Sequence, residues 1–364
     1  MQDITGDALE ETTPAGDAGD APTGKTRRTR SRSDRIDAVL WWAVVLSVAA
    51  VLGLAGLFGY SVWQVRQEES LSTPAGRAIQ DLKARVKATP NNADLRVRLG
   101  EALASAGLYE DAVGQLRTAT KLNPNHNGAY LDLGILALEQ KQPKSAEGYF
   151  KKVIELTTGD MEGVNQRREQ AYFYIGSIAL DAERYDDAVA NLKAALRIRR
   201  DAADTYYLLA YAYKGLDKKD AAMKQLDAAL AFDPKYPEAH YLMGQIYLED
   251  GDKINAAVHF RLAADNAPNQ DLPQEALAGL GAPEDAVAQG RADLREKRYQ
   301  AAIEAALLAQ AIDPKNVAAV VLHAEAAEAS GETSAAIAAY KQLLELEPKN
   351  ETAAEALKRL AATK

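Results

Sequence analysis

Two patterns of hydrophobic and polar positions divide the chain. Residues Ala38–Trp63 form an uncharged and almost wholly apolar run. From about residue 75 onward, apolar and small residues instead recur with helical spacing between charged positions, as they do in amphipathic helices. The first pattern predicts one long membrane-spanning helix, and the second predicts a series of shorter helices that share a core.

The apolar run is long enough to cross a bilayer. A helix over residues 37–63 extends roughly 40 Å, whereas the hydrocarbon core is about 30 Å thick. Trp41 and Trp42 at one end, with Tyr60 and Trp63 at the other, fit interfacial aromatic belts. A cleaved signal peptide has a shorter apolar region that ends in a small-residue cleavage site. We therefore predict an uncleaved transmembrane helix over residues 37–63.

Basic residues around this span predict its orientation. Six of the eleven residues from Lys25 to Arg35 are basic, whereas Arg66 and Arg77 are the only basic residues in a similar stretch beyond the span. The positive-inside rule therefore places the N-terminus in the cytoplasm and the rest of the chain on the extracytoplasmic side of the cell membrane. Read alone, the basic cluster would suit nucleic acid. Beside the span, it favours a topology signal near anionic lipid headgroups.

Small residues within the span bear on association in the membrane. Ala49 and Gly53, like Ala55 and Gly59, are four residues apart. Small residues at this spacing let two transmembrane helices approach closely. This spacing leaves undecided whether the protein forms a homo-oligomer through its transmembrane helix.

Proline spacing indicates an internal repeat in the second part of the chain. Prolines that end a helical pattern are Pro90, Pro124, Pro234, Pro268, Pro314 and Pro348. Three of the intervals between neighbours in this series equal 34 residues. A fixed period of this length indicates stacked supersecondary units and not one central core.

The same residue types recur within each period. Small residues expected where two helices cross closely are Gly100, Gly134, Gly176 and Gly244. Small residues expected to let the second helix nest on the first are Ala112, Ala146, Ala188 and Ala256. From about Thr73 onward this pattern closely resembles the tetratricopeptide repeat, a helix–turn–helix unit of 34 residues. The resemblance implies an all-α fold, a right-handed superhelical solenoid of such repeats.

The repeat pattern and the apolar run together predict the domain organisation. An insertion around Thr157–Arg168 follows the second repeat, and the segment after Pro268 is out of phase, where we expect a short helix over Gln274–Leu280 or a loop. The predicted divisions are a disordered, basic-ended cytoplasmic tail (1–36), the transmembrane helix (37–63), a linker (64–74), a half-repeat with five repeats (75–268), an irregular joint (269–282), two degenerate repeats (283–349), and a capping helix and tail (350–364).

Composition and motifs exclude several kinds of chemistry. The net charge of −9 and the pI of about 5.2 argue against a nucleic-acid partner. The absence of cysteine excludes disulfides, thiolate catalysis and Cys-based zinc sites. The four histidines are isolated along the sequence, and we expect them to be packed or hydrogen-bonded in the core. We therefore predict no enzyme activity, no catalytic residues, no metal and no cofactor.

The resemblance implies where a partner binds. In this family the first helix of each repeat lines the concave face, where ligand peptides are held. The register above places there the candidate partner-binding residues Leu131, Ile135, Leu138, Phe173, Leu180, Tyr207, Tyr211, Lys214, Tyr241, Gln245 and Leu248. The Asn, Lys and Arg set with which some members clamp a partner's C-terminal carboxylate is not evident. An apolar, aromatic face suits an amphipathic helix or an extended apolar segment.

Two alternatives stay open at this point. The tyrosines and leucines of the predicted face could serve only to pack neighbouring first helices together. For the function, we expect a membrane-anchored protein–protein interaction scaffold that binds a protein or peptide in the concave groove. The alternative is an accessory assembly factor that presents client proteins to an envelope machine, such as one for cytochrome maturation, secretion, pilus assembly or cell-wall assembly.

Overall fold

The computed structural model describes residues 73–159 and 165–362. The predicted cytoplasmic tail and the predicted transmembrane helix at 37–63 lie outside the described residues. Within the described ranges all regular structure is α-helical, and no helix there is both long and apolar enough to span a membrane. Residues Ala75–Lys364 form one compact unit.

The helices have 12 to 16 residues each, except for the 8-residue α12, and most follow one another with short connections. Their bounds are α1 (Pro74–Ala88), α2 (Ala93–Ser105), α3 (Tyr109–Leu122), α4 (Asn127–Glu139), α5 (Pro143–Thr157), α6 (Gln166–Asp181), α7 (Tyr185–Ile198), α8 (Ala203–Gly215), α9 (Lys219–Phe232), α10 (Pro237–Glu249), α11 (Lys253–Asn266), α12 (Asp271–Ala278), α13 (Pro283–Arg295), α14 (Tyr299–Ile312), α15 (Val317–Ser330), α16 (Thr333–Leu346) and α17 (Glu351–Ala362).

Consecutive helices pack as pairs, and each pair is one repeat. The pairs are α2 with α3, α4 with α5, α6 with α7, α8 with α9, α10 with α11, α13 with α14, and α15 with α16. We call the first helix of a pair helix A and the second helix B. Each helix B also contacts helix A of the next pair, except where α12 intervenes. The structure is thus an α-helical repeat solenoid, as the sequence predicted.

Small residues let the two helices of a pair approach closely. A Cβ atom on Gly100 would lie 2.8 Å from the Leu116 side chain, and one on Gly134 would overlap the ring of Phe150. Gly176 and Gly244 stand in the same relation to a leucine and a phenylalanine of their own helix B. The expected role of these glycines is confirmed, because any side chain there would force the helix pair apart.

The turn between helix A and helix B has a constant backbone shape. Gly107, Gly251 and Gly331 adopt φ between 76° and 83° at one position of this turn. In the other four repeats the same left-handed position is held by residues with a side chain, at φ between 55° and 60°, namely Lys141, Glu183, Asp217 and Lys297. Left-handed backbone is unfavourable for such residues. The packing of the flanking helices therefore fixes the turn.

Hydrogen bonds between side chains tie successive repeats together at matching places. Asp94 near the start of α2 lies 3.1 Å from His126, which caps α4. Gln270 donates to Glu238 of α10 over 3.4 Å, and Asn316 donates to Glu284 of α13 over 3.3 Å. All three pairs are separated by 32 residues. In these three repeats, the acidic residue at the second position of helix A therefore binds the segment that follows its own helix pair.

The insertion after the second repeat is shorter than the sequence suggested. Helix α6 begins at Gln166, so the last residues of the predicted Thr157–Arg168 insertion belong to the helix. The Arg168 side chain is buried and donates to the carbonyl oxygen of Thr157 at 3.0 Å. This bond satisfies a carbonyl at the C-terminal end of α5 and links it to the first turn of α6.

The segment 269–282, predicted to be irregular, contains the short helix α12. This helix covers Asp271–Ala278, so it starts three residues before and ends two residues before the expected Gln274–Leu280. Gly279 and Gly281 follow it, and the φ of 104° at Gly281 ends the segment. Beside α12, α11 packs directly on α14, and Arg261 donates to the carbonyl oxygen of Ala311 at 3.1 Å.

The close crossing at Gly134 gives a direct test of this packing. We expect Gly134→Leu to destabilise a fragment covering residues 73–364 by about 1 to 3 kcal/mol or more, because the new side chain would overlap Phe150. Gly148→Leu is the matched control, since a Cβ atom there meets no neighbour within 4 Å. Urea unfolding of both variants measures the difference. Equal stability of the two variants would contradict this account of the helix pair.

Candidate functional site

The predicted binding residues lie on helix A of four successive repeats. They come from α4, α6, α8 and α10, so the period of the repeat brings them to one side of the solenoid. Their exposure differs widely. Leu131 and Leu180 are buried, whereas Tyr211 and Leu248 are 46% and 41% exposed. The remaining predicted residues are half-buried.

Two neighbouring cavities form on this side of the solenoid. The first cavity, of about 330 Å³, lies between α6 and α8, and the second, of about 500 Å³, lies between α8 and α10. Both cavities are lined by the same three tyrosines, Tyr185, Tyr207 and Tyr211. We call the two cavities together the tyrosine groove. Six of the predicted residues line it: Leu180, Tyr207, Tyr211, Lys214, Tyr241 and Gln245.

The other predicted residues line neither cavity. Leu131, Ile135 and Leu138 of α4 pack in the core around Phe150. Phe173 of α6 packs edge-on against Tyr174, with ring centroids 5.5 Å apart. Leu248 is exposed at the end of α10. A role for these five residues in binding stays a prediction.

Several residues that line the tyrosine groove were not predicted, among them four that supply charge or exposed aromatic and apolar surface. Leu272 of α12 is 62% exposed and lines the second cavity. Tyr185 starts a helix B, and its ring occupies the space that a side chain at Gly215 would need. Asp181 and Glu183 lie where α6 ends and line the first cavity. A search restricted to helix A could find none of them except Asp181, and Leu272 is also out of phase with the repeat.

The lysine of the groove is already paired. The ammonium of Lys214 lies 2.7 Å from a carboxylate oxygen of Glu249, and the Lys214 side chain is only 26% exposed. An ion pair of this kind neutralises the charge that Lys214 would otherwise present to a ligand. The second cavity therefore offers aromatic, amide and apolar surface with little net charge.

The pKa values of Tyr207 in the groove and of its neighbour Tyr236 are raised. Burial raises the pKa of Tyr207, and the nearby carboxylate of Glu238 raises it further. Burial likewise raises the pKa of Tyr236, whose ring centroid lies 5.3 Å from that of Tyr207. Both groups therefore remain protonated near neutral pH and can donate hydrogen bonds.

Asp132 is a polar residue within the apolar part of helix α4. Burial and, to a smaller extent, the Glu101 carboxylate raise its pKa, Arg167 lowers it, and the net result is a pKa of about 6. Its Oδ2 atom is buried and has no hydrogen-bond partner among the described residues. Its neighbours in sequence, Leu131 and Leu133, are buried core residues. Asp132 was not among the predicted functional residues. A single acidic residue within the apolar run YLDLGIL is the feature of the sequence that indicates it.

The histidines are not all isolated in space. The Nδ1 atoms of His240 and His259 lie 3.1 Å apart, and His240 Nε2 lies 3.1 Å from the carbonyl oxygen of Pro234. Burial, followed by the proximity of His240, lowers the pKa of His259 to about 4. The two histidines therefore pack against each other within the fifth repeat. In residues 73–159 and 165–362 no group of three or more potential ligands is placed to hold a metal ion.

These features define the class of protein. Stacked helix pairs with an aromatic groove along helix A form an α-helical repeat scaffold suited to protein–protein interaction. Models described as Tetratricopeptide repeat match residues 75–116, 97–160, 179–246, 237–270 and 285–351. Together these matches cover more than half of the chain. The chain belongs to the tetratricopeptide repeat family.

The chain is also similar to parts of two curated proteins. Anaphase-promoting complex subunit 3 of Schizosaccharomyces pombe is 23% identical over 180 residues, which are 46% of this chain and 26% of that protein. Protein O-mannosyl-transferase TMTC1 of Homo sapiens is 22% identical over 194 residues, which are 52% of this chain and 21% of that protein. The chain thus spans about a quarter of the length of these relatives.

Several solved structures are similar in fold. YrrB, described as a TPR protein with an unusual peptide-binding site, is 19% identical with a TM-score of 0.47, over 55% of this chain and 98% of that chain. PilF of Pseudomonas aeruginosa is 15% identical with a TM-score of 0.41, over 75% of this chain and 97% of that chain. Neither comparison assigns a partner to this chain.

The raised pKa of Asp132 predicts a stability effect with a definite sign. An aspartate whose pKa is about 6 in the folded state and near 3.8 when unfolded opposes folding above pH 6, because the folded state holds its proton more tightly. We expect Asp132→Asn to raise the unfolding free energy at pH 7.5 by roughly 1 to 3 kcal/mol. The gain should fade as the pH falls towards 4.

Urea unfolding at pH 7.5 and pH 4 measures this difference. Asp227→Asn is the control, since Asp227 lies exposed on helix α9. If the Asp132→Asn variant is no more stable than the native chain at pH 7.5, the ionised Asp132 carboxylate does not destabilise the folded state.

Proposed function

We propose that this protein is a membrane-anchored interaction scaffold that holds a segment of a partner protein in the tyrosine groove, on the extracytoplasmic side of the membrane. The observation that carries the proposal is the groove itself. Tyr185, Tyr207 and Tyr211 line both of two adjoining cavities, so three tyrosines are grouped at one place on the solenoid. Tyrosine is enriched at binding hot spots because it offers a rigid apolar ring with a polar tip.

The shape of the groove favours a protein segment as its ligand. The two cavities lie side by side over three successive A helices, α6, α8 and α10. Two side chains that line the groove, Tyr211 and Leu272, are exposed to solvent. Exposed apolar side chains grouped in one place mark interaction surfaces, and a chain segment that crosses several helices can use both cavities at once.

The membrane anchor in this proposal is supported by the sequence. The uncharged run Ala38–Trp63 has the length of a transmembrane helix, and tryptophans lie at both of its ends. The excess of basic residues in Lys25–Arg35 favours a cytoplasmic N-terminus. In this arrangement the repeat array stands close to the membrane on the other side, where it positions or recruits its partner.

Substitutions in the groove test the binding role. We expect Tyr211→Ala with Leu272→Ala to weaken partner binding by at least about 2 kcal/mol, or roughly thirtyfold, if these residues form a hot spot. Both side chains are largely exposed, so the fold should survive. Crosslinking in intact membranes followed by mass spectrometry identifies the partners, and their yield is compared between the native chain and the variant.

The chain offers a closely matched control for this pair. Tyr109 and Leu108 are 41% and 47% exposed and line neither cavity of the groove. Tyr109→Ala with Leu108→Ala should leave the crosslinked partners at full yield. If the groove variant also keeps every partner at full yield while its melting temperature is unchanged, the tyrosine groove is not the binding site.

A fusion tests the proposed orientation. We expect a reporter enzyme that is active only outside the cytoplasm to be active when it is fused after residue 364, because of the basic cluster before the span. Replacing the six basic residues of Lys25–Arg35 by glutamine and adding lysines after the span should reduce that activity. Activity confined to a cytoplasm-only reporter on the native sequence would overturn the orientation.

A further inference from the structure

The first cavity of the tyrosine groove carries an unbalanced negative charge. Asp181 and Glu183 line it, and both residues are exposed. The neighbouring basic side chains are engaged elsewhere: Arg184 pairs with Glu147 and Asp187, and Lys214 pairs with Glu249. Among the described residues neither Asp181 nor Glu183 has a basic partner in an ion pair. These carboxylates are therefore available to pair with a cationic group of another molecule.

The backbone adds to this negative potential. Asp181 is the last residue of helix α6, where the aligned peptide dipoles place partial negative charge. A basic residue is the usual choice at such a helix end, but this end carries two acidic residues. Glu183 also adopts a left-handed backbone with φ of 55°, at the turn position where three other repeats have glycine. An acidic side chain is therefore held at a place where both electrostatics and backbone conformation disfavour it.

Aromatic residues line the same cavity as these carboxylates. Tyr185, Tyr207 and Tyr211 all line it. Cations are attracted to the faces of tyrosine rings, more strongly where water is partly excluded. The chain already contains one such contact, because the ammonium of Lys193 lies 5.3 Å from the centroid of the Tyr213 ring. A cavity lined by both carboxylates and tyrosine rings suits a cationic side chain.

We propose that the partner segment carries a lysine or arginine whose side chain enters the first cavity, between the tyrosines and the carboxylates of Asp181 and Glu183. This inference rests on the proposed function and names the chemistry of its ligand. The volume of about 330 Å³ is at the small end of ligand sites, which suits a single side chain. The partner is thus a protein segment with a basic anchor, and not a purely apolar one.

The second cavity indicates which other kind of side chain the partner segment carries. Its lining includes Tyr241, Leu242 and the exposed Leu272, while its lysine is neutralised by Glu249. This cavity therefore receives an apolar or aromatic side chain. Neighbouring helices pack about 8 to 10 Å apart, a distance that about three residues of extended chain cover. An extended partner segment should place its apolar residue about three positions from the lysine or arginine.

Selection from a library of random displayed peptides on the full chain in detergent micelles tests this inference. The native chain should enrich peptides that have lysine or arginine about three positions from an apolar residue. Asp181→Asn with Glu183→Gln should bind those peptides roughly tenfold more weakly, and selection on it should keep the apolar preference but lose the basic one. Asp181→Lys with Glu183→Lys should enrich acidic residues instead.

Two further measurements sharpen the selection. Asp186→Asn with Asp227→Asn is the control for general loss of negative charge, because these exposed residues line neither cavity, and it should bind like the native chain. Raising the ionic strength to about 1 M, where the Debye length is about 3 Å, should weaken binding to the native chain more than to the Asn/Gln variant. Circular dichroism melting confirms that each variant is folded.

The outcomes separate this inference from the proposed function. Selected peptides that need Tyr211 and Leu272 but show no basic preference, or bind the Asn/Gln variant as tightly as the native chain, would overturn the basic anchor and leave the groove as the binding site. Peptides unaffected by Tyr211→Ala with Leu272→Ala, or no enrichment over empty micelles, would contradict the proposed function as well.

Discussion

The close crossing of helix A and helix B is the constraint on which the rest of the structure depends. In the second repeat the ring of Phe150 lies where any side chain at Gly134 would have to be, and both residues are buried. A crossing this tight leaves one way for the pair to pack, because interiors tolerate neither overlap nor voids. Its repetition along the chain fixes the register of every later A helix. The alignment of Tyr207 and Tyr241 one period apart is a consequence of that register.

The groove exists because the core uses only part of each A helix. Leu209, Ala210 and Ala212 of α8 are buried in the core. Tyr211, which lies between Ala210 and Ala212 in sequence, is 46% exposed. The apolar core thus holds the backbone of α8 in place while its other side stays available for a ligand. Polar groups that oppose folding, such as Asp132 and the left-handed Glu183, are tolerated because this framework is over-determined. Such groups concentrate at functional places more often than elsewhere in a protein.

The repeat architecture was accessible from sequence, while the details of the groove were not. The 34-residue period and the paired small residues are local patterns, and each repeat contacts mainly its neighbours, so local patterns determine the fold. Leu272 reaches the groove from α12, which has no place in the period. Tyr185 belongs to helix B, and only the pairing of two repeats places its ring over Gly215. The bond of Arg168 to Thr157 likewise depends on how the chain returns after the insertion.

The central claim is that a partner protein binds across the A helices of successive repeats and not elsewhere on the solenoid. Placing a photoreactive amino acid at Tyr211 or at Tyr109 tests it most directly, because the two side chains are similarly exposed, at 46% and 41%, and only Tyr211 lines the groove. Illumination of intact membranes should link a partner to the chain from position 211 and leave position 109 unlinked. A partner captured from position 109 and never from position 211 would contradict the account.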